Sequence, residues 1–136
     1  MTREDKKLLL QDLSARLMYG VKYSDALNTE EQIFTLGTIV EYGLVMDTYG
    51  FSLEIEDVKP YLFPLSSMTD EQIMQSPTSV HVCDLENLRY DSVWTELNSR
   101  FTDLIDLIDW LNKNHFDYRG LIEKGLAIDA TGKNIY

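Results

Sequence analysis

Seven apolar residues constrain this chain most. Tyr90, Trp94, Leu97, Phe101, Leu104, Ile108 and Leu111 follow one another in alternating steps of four and three. That recurrence is the mark of a helix burying one face, and here it runs for about three heptads. The spacing predicts a long C-terminal helix. Its partner is either the rest of the chain or a second copy, so monomer and dimer both stay open. Trp, Tyr and Phe are bulky for a seam between two identical helices, which favours an intramolecular core.

A second helix is expected at the N-terminus. Thr2 suits its cap, Glu4 and Asp5 suit its positive end, and Leu9, Leu10, Leu13, Leu17 and Met18 recur at helical spacing until Gly20. The texture then changes to short β-prone runs at 21–23, 33–40, 44–46 and 51–55. Phe51, Leu53 and Ile55 alternate with Ser52, Glu54 and Glu56, as in a half-exposed strand. Asp47-Thr-Tyr-Gly50 reads as a hairpin turn. Pro60 and Pro64 mark residues 59–69 as an extended loop, and Thr69 with Gln72 forms a capping box for a short helix. Residues 80–85 add a candidate edge strand. The expectation is one α+β domain over residues 1–136. It comprises an N-terminal helix, a small curled antiparallel sheet of three to five strands, a long C-terminal helix and a short terminal helix.

Charge narrows the partners. Twelve Lys and Arg face 23 Asp and Glu, a formal charge of −11. Residues 23–112 carry three basic and seventeen acidic side chains, whereas residues 1–22 carry five basic and three acidic. A field of that sign repels phosphate backbones and anionic membranes and draws in basic proteins. It also serves solubility alone. Cys83 is the single cysteine, which fits a reducing cytoplasm, and no apolar run approaches the ~20 residues of a membrane helix.

No catalytic motif survives inspection. Gly132-Lys133 lacks the first glycine, the Ser/Thr and the following helix of a phosphate loop. His81 and Cys83 would share a strand face, but a zinc site needs about four ligands. No cofactor and no metal are expected. Asp103, Asp106 and Asp109 fall on one helix face, opposite the seam. They suit either a solvated surface or, with help from elsewhere, a divalent cation. Glu54 and Glu56 are the other candidate carboxylates for acid–base work. Trp110 falls among those aspartates. It is an interface anchor for a basic partner, or it is covered by the aromatic segment His115–Ile122, in which Tyr118 lies and Arg119 can pair with an aspartate or stack on the indole. Trp110, Asp103, Asp106, Asp109 and Tyr118 are therefore the candidate binding residues.

Three stretches carry a resemblance: Leu8–Leu17 with the following Tyr-Gly-Val-Lys, Val58–Thr69, and Asp109–Leu126. In wording and order they resemble an uncharacterised protein family of gut anaerobic bacteria and their phages and mobile elements. The resemblance implies an accessory protein of such an element and transfers no functional residue. The expected function is a non-catalytic intracellular interaction protein with an acidic surface. The alternative is a carboxylate-dependent enzyme or a divalent-metal-binding protein.

Overall fold

A computed structural model describes residues 1–27, 32–40, 43–77 and 101–136, with backbone alone over 101–104. Helix α1 spans Arg3–Arg16. Thr2 Oγ1 accepts from Asp5 N, and the Asp5 carboxylate accepts from Thr2 N, so the two residues satisfy each other's free donors. A 3-10 turn over Leu17–Tyr19 ends at Gly20, whose φ of 64° takes the left-handed region. Met18, expected on the apolar face, is instead 92% exposed, because the tighter turn rotates it out.

Seven strands form one mixed sheet. They are β1 (Lys22–Asp25), β2 (Ile33–Val40), β3 (Leu44–Asp47), β4 (Ser52–Glu54), β5 (Val58–Pro64), β6 (Phe116–Asp117) and β7 (Ile128–Asp129). Its order runs β4-β3-β2-β1-β5, with β6 and β7 both pairing with β5 in parallel and all other pairs antiparallel. The hairpin turn at Asp47 is built by its own carboxylate, which accepts from Tyr49 N and Phe51 N. β2 changes register between Leu36 and Thr38, where Gly37 lets the backbone of Asp47 approach. A Cβ there would lie 2.6 Å from Asp47 O.

The structure overturns the expected fold in four respects. It has more than the expected three to five strands, and it is not wholly antiparallel. The long C-terminal helix is not shown: α3 spans Phe101–Lys113, and the seam residues Tyr90, Trp94 and Leu97 lie outside the described residues, as do 80–85. No short terminal helix follows it. Residues 118–127 are turns and bends leading into β7. The reason is that its apolar residues complete cores built mainly by other elements, so they need no amphipathic stripe of their own.

The expected loop at 59–69 is also corrected, since β5 is the strand on which the sheet converges. Asp57 O accepts from Ala26 N and Phe63 N donates to His115 O, whereas Leu62 O accepts from Ala130 N. Alternate residues of a strand turn their peptide groups to opposite edges. Pro60 and Pro64 therefore fall with Leu62, on the edge carrying only the two-residue β7, where their missing N–H groups cost no ladder bond.

Two cores result. Leu9 and Leu13 of α1 pack on the sheet through Val21, Tyr23, Val45 and Leu62. A second core joins Leu65, Met68 and the short helix α2 (Asp70–Gln75), capped by Thr69 and Gln72, to Leu107 and Leu111 of α3 and to Phe116.

Candidate interaction site

Helix α3 carries most of the residues singled out above. Its buried stripe is Leu107 and Leu111, four apart, with Ile108 and Trp110 on the flanks. The stripe lies closer to Trp110 than a seam centred on Leu104 and Ile108 would place it. Trp110 is half-buried and stacks on Phe116 with ring centroids 5.7 Å apart and planes at 23°. The C-terminal segment thus returns over the indole. The turn needed for that return is made at His115, which holds φ at 61° directly after α3.

Asp106 and Asp109 are exposed on the outer face of α3, beside Ile105, which is 44% exposed. The side chain of Asp103 lies outside the described residues. Tyr118 is buried in the second core with Leu107, Leu111 and Phe116, the core on which Trp110 packs. Its hydroxyl donates to Asn112 Oδ1 at 2.9 Å, and two guanidinium groups lie over its ring, that of Arg16 at 5.4 Å and that of Arg119 at 5.0 Å. The structure therefore brings Asp106 and Asp109 together, half-buries Trp110 against Phe116, and buries Tyr118 in the same core, where its ring also meets a charged cluster around Arg16 and Arg119.

That cluster is the feature sequence reasoning missed. Asp12 and Arg16, one turn apart on α1, are both fully buried. Arg16 donates through Nε and one terminal nitrogen to the two carboxylate oxygens at 2.8 and 3.1 Å, and the same nitrogen donates to Phe116 O at 2.6 Å. Arg119 Nε stands 3.5 Å from Asp12. The signal was available: Asp12 and Arg16 share a helical face with Leu9 and Leu13, so opposite charges four residues apart had to be buried together. One carboxylate facing two guanidinium groups leaves an excess positive charge, and Nη1 of Arg16 has no hydrogen-bond partner among the described residues.

His115 completes the surroundings. Burial, reinforced by the charges of Arg16 and Lys22, pushes its pKa down to about 4, so the ring is neutral at pH 7. It stacks on Tyr136 at 3.9 Å, and Nδ1 is buried without a hydrogen-bond partner among the described residues. Because Asp12 and Arg16 are sealed from solvent, the cluster joins α1 to the C-terminal segment and does not present a reactive group. At the other candidate carboxylates, Glu56 accepts from Lys6 Nζ at 2.8 Å. This hydrogen bond holds its carboxyl below the usual range, the reverse of what a general acid requires. Among the described residues no group of three His, Cys, Asp or Glu is placed to hold a metal ion, and His81 and Cys83 lie outside them. Among them, too, no helix is long and apolar enough to cross a membrane.

Compared with protein-family models, curated proteins and solved structures, the chain matches none.

Proposed function

We propose that this chain is a non-catalytic, cytoplasmic interaction protein whose acidic α3 face takes a basic protein partner. The observation that carries the reading is the presentation of Asp106 and Asp109. Both are exposed on a helix whose opposite side is anchored by the fully buried Leu107 and Leu111, so the carboxylates stand on a rigid support. The net charge of −11 steers cationic partners toward such a face and disfavours nucleic acid and anionic membranes. Trp110 contributes its buried stack on Phe116 to the support of this face and is not the anchor itself. The accessory role in a mobile element rests on the sequence resemblance.

The test is capture of partners from host lysate at low and moderate salt, followed by affinity measurement with each identified protein. A basic partner lost at moderate salt, and bound at least tenfold more weakly by the Asp106→Lys/Asp109→Lys variant, supports the proposal. Equal binding by that variant refutes it.

A further inference from the structure

The strongest departure from the acidic character of the chain lies along α1. A shallow groove of about 850 Å³ is lined there by Arg3, Lys6, Lys7, Leu10, Gln11 and Ser14, and is completed by Gly43 and Arg119. Among the described residues its lining holds four cations and no acid. At ~100° per residue the helical members fall within one arc of about 140° on α1, which borders the buried face of Leu9, Asp12, Leu13 and Arg16 where Lys6 lies beside Leu13. Asp5 falls outside that arc and is engaged by the cap, and exposed Glu4 borders the arc beside Gln11.

The cations differ in how far they are neutralised. Arg3 and Lys7 make no ion pair among the described residues. Lys6 reaches Glu56, but both side chains are more than a third exposed, so water competes with that contact. Arg119 stands 3.5 Å from a carboxylate that already accepts two N–H bonds from Arg16, and its own Nε makes no hydrogen bond among the described residues. The groove is therefore positively charged on its surface and is backed by the excess charge of the buried cluster.

We infer that this groove binds a small phosphorylated ligand of nucleotide size carrying at least two phosphate charges. The groove is open, so it offers contact along one side of a ligand and leaves the other to solvent. Two arginines offer planar forks that match phosphate oxygens, and two lysines add point charges. Leu10 offers an apolar surface for an organic moiety, and Gln11 an amide for hydrogen bonds. The absence of a side chain at Gly43 keeps the groove open, since a Cβ there would come within 3.2 Å of Lys6 Cε. The overall charge selects against long polyanions. A small ligand stays inside the basic arc, with the distant acids screened over the ~8 Å Debye length of physiological salt, whereas a nucleic acid runs on into the acidic field.

Titration calorimetry with tripolyphosphate and with ADP tests this directly, with sodium sulfate at matched ionic strength as the reference. Saturable binding of either phosphate probe, at least tenfold weaker in Arg3→Gln/Lys7→Gln and unchanged in Lys133→Gln, is the expected result. Tighter binding of ADP assigns a nucleoside contact, and equal binding assigns the phosphate chain alone; both support the site. Arg3 and Lys7 are exposed and make no ion pair among the described residues, so the variant keeps its fold, checked by circular dichroism. No saturable binding, heats equal to those of sulfate, or an equal loss in Lys133→Gln overturns the inference.

Discussion

The hydroxyl of Tyr136 occupies a position that belongs to the sheet. β1 and β5 pair at Asp25↔Val58, Ser24↔Lys59 and Tyr23↔Pro60, so the next pair in register would be Lys22 with Tyr61. The strands part there. Tyr136 Oη accepts from Lys22 N at 3.0 Å and donates to Tyr61 O at 2.7 Å, bridging the two backbone groups that would otherwise bond each other. Tyr136→Phe removes the bridge and keeps the ring, which still stacks on His115 at 3.9 Å and packs against Phe63 at 5.9 Å. Each backbone group left without a partner costs about 1–3 kcal/mol when buried. Tyr136 is 43% exposed, so water reaches part of the gap and the sum should fall near ~2 kcal/mol. In urea, with a slope of about 1–3 kcal/mol/M, the midpoint should drop by roughly 1 M at unchanged slope. The Lys22 amide should at the same time lose hydrogen-exchange protection. An unchanged midpoint together with an unchanged Lys22 amide would refute the bridging role.

Three further outcomes follow from His115, Asp12 and Gly37. His115 has a folded-state pKa of about 4 against an ordinary value of 6.5, so the fold favours the neutral ring. That stabilisation is complete above pH 6.5 and is lost as pH falls toward 4, by up to about 3 kcal/mol. His115→Asn, which tolerates the positive φ, should flatten the pH dependence of the melting temperature in that window, and an unaltered dependence would contradict it. Asp12→Ala strands two guanidinium groups beside each other and should cost about 3–5 kcal/mol in urea unfolding. The double variant Asp12→Leu/Arg16→Met should lose much less, and an equal loss would show that packing matters there and charge does not. Gly37→Ala must push apart β2 and the backbone of Asp47, so a fall of about 2 kcal/mol or more is expected; a neutral result would show that the bulge can relax.

Legibility in the sequence followed the range of the interactions. Both capping boxes, Thr2 with Asp5 and Thr69 with Gln72, were readable because the bonds close within one turn. The Asp47 turn was readable for the same reason, and α1 and the strands at 33–40 and 44–47 follow from local apolar patterning. β5 was hidden by its prolines, whose harmlessness depends on which edge of the strand each one faces. The seam showed that α3 is amphipathic, but Trp110 could be placed only once the segment it stacks on was in place. Among the carboxylates, sequence spacing put Asp106 and Asp109 on one face, where they are found. It could not tell that Tyr118 belongs with Arg16 and Arg119.

By itself, then, the sequence determined the local elements of this protein, its acidic charge and the basic character of its first helix, because hydrogen bonds and periodicity within a few residues decide those. Only the tertiary structure decided that β5 gathers β1, β6 and β7, that Phe116 covers Trp110, and that Asp12 meets an arginine more than a hundred residues away. Those pairings depend on which distant groups burial leaves without water, and the chain must already be folded for that to be settled.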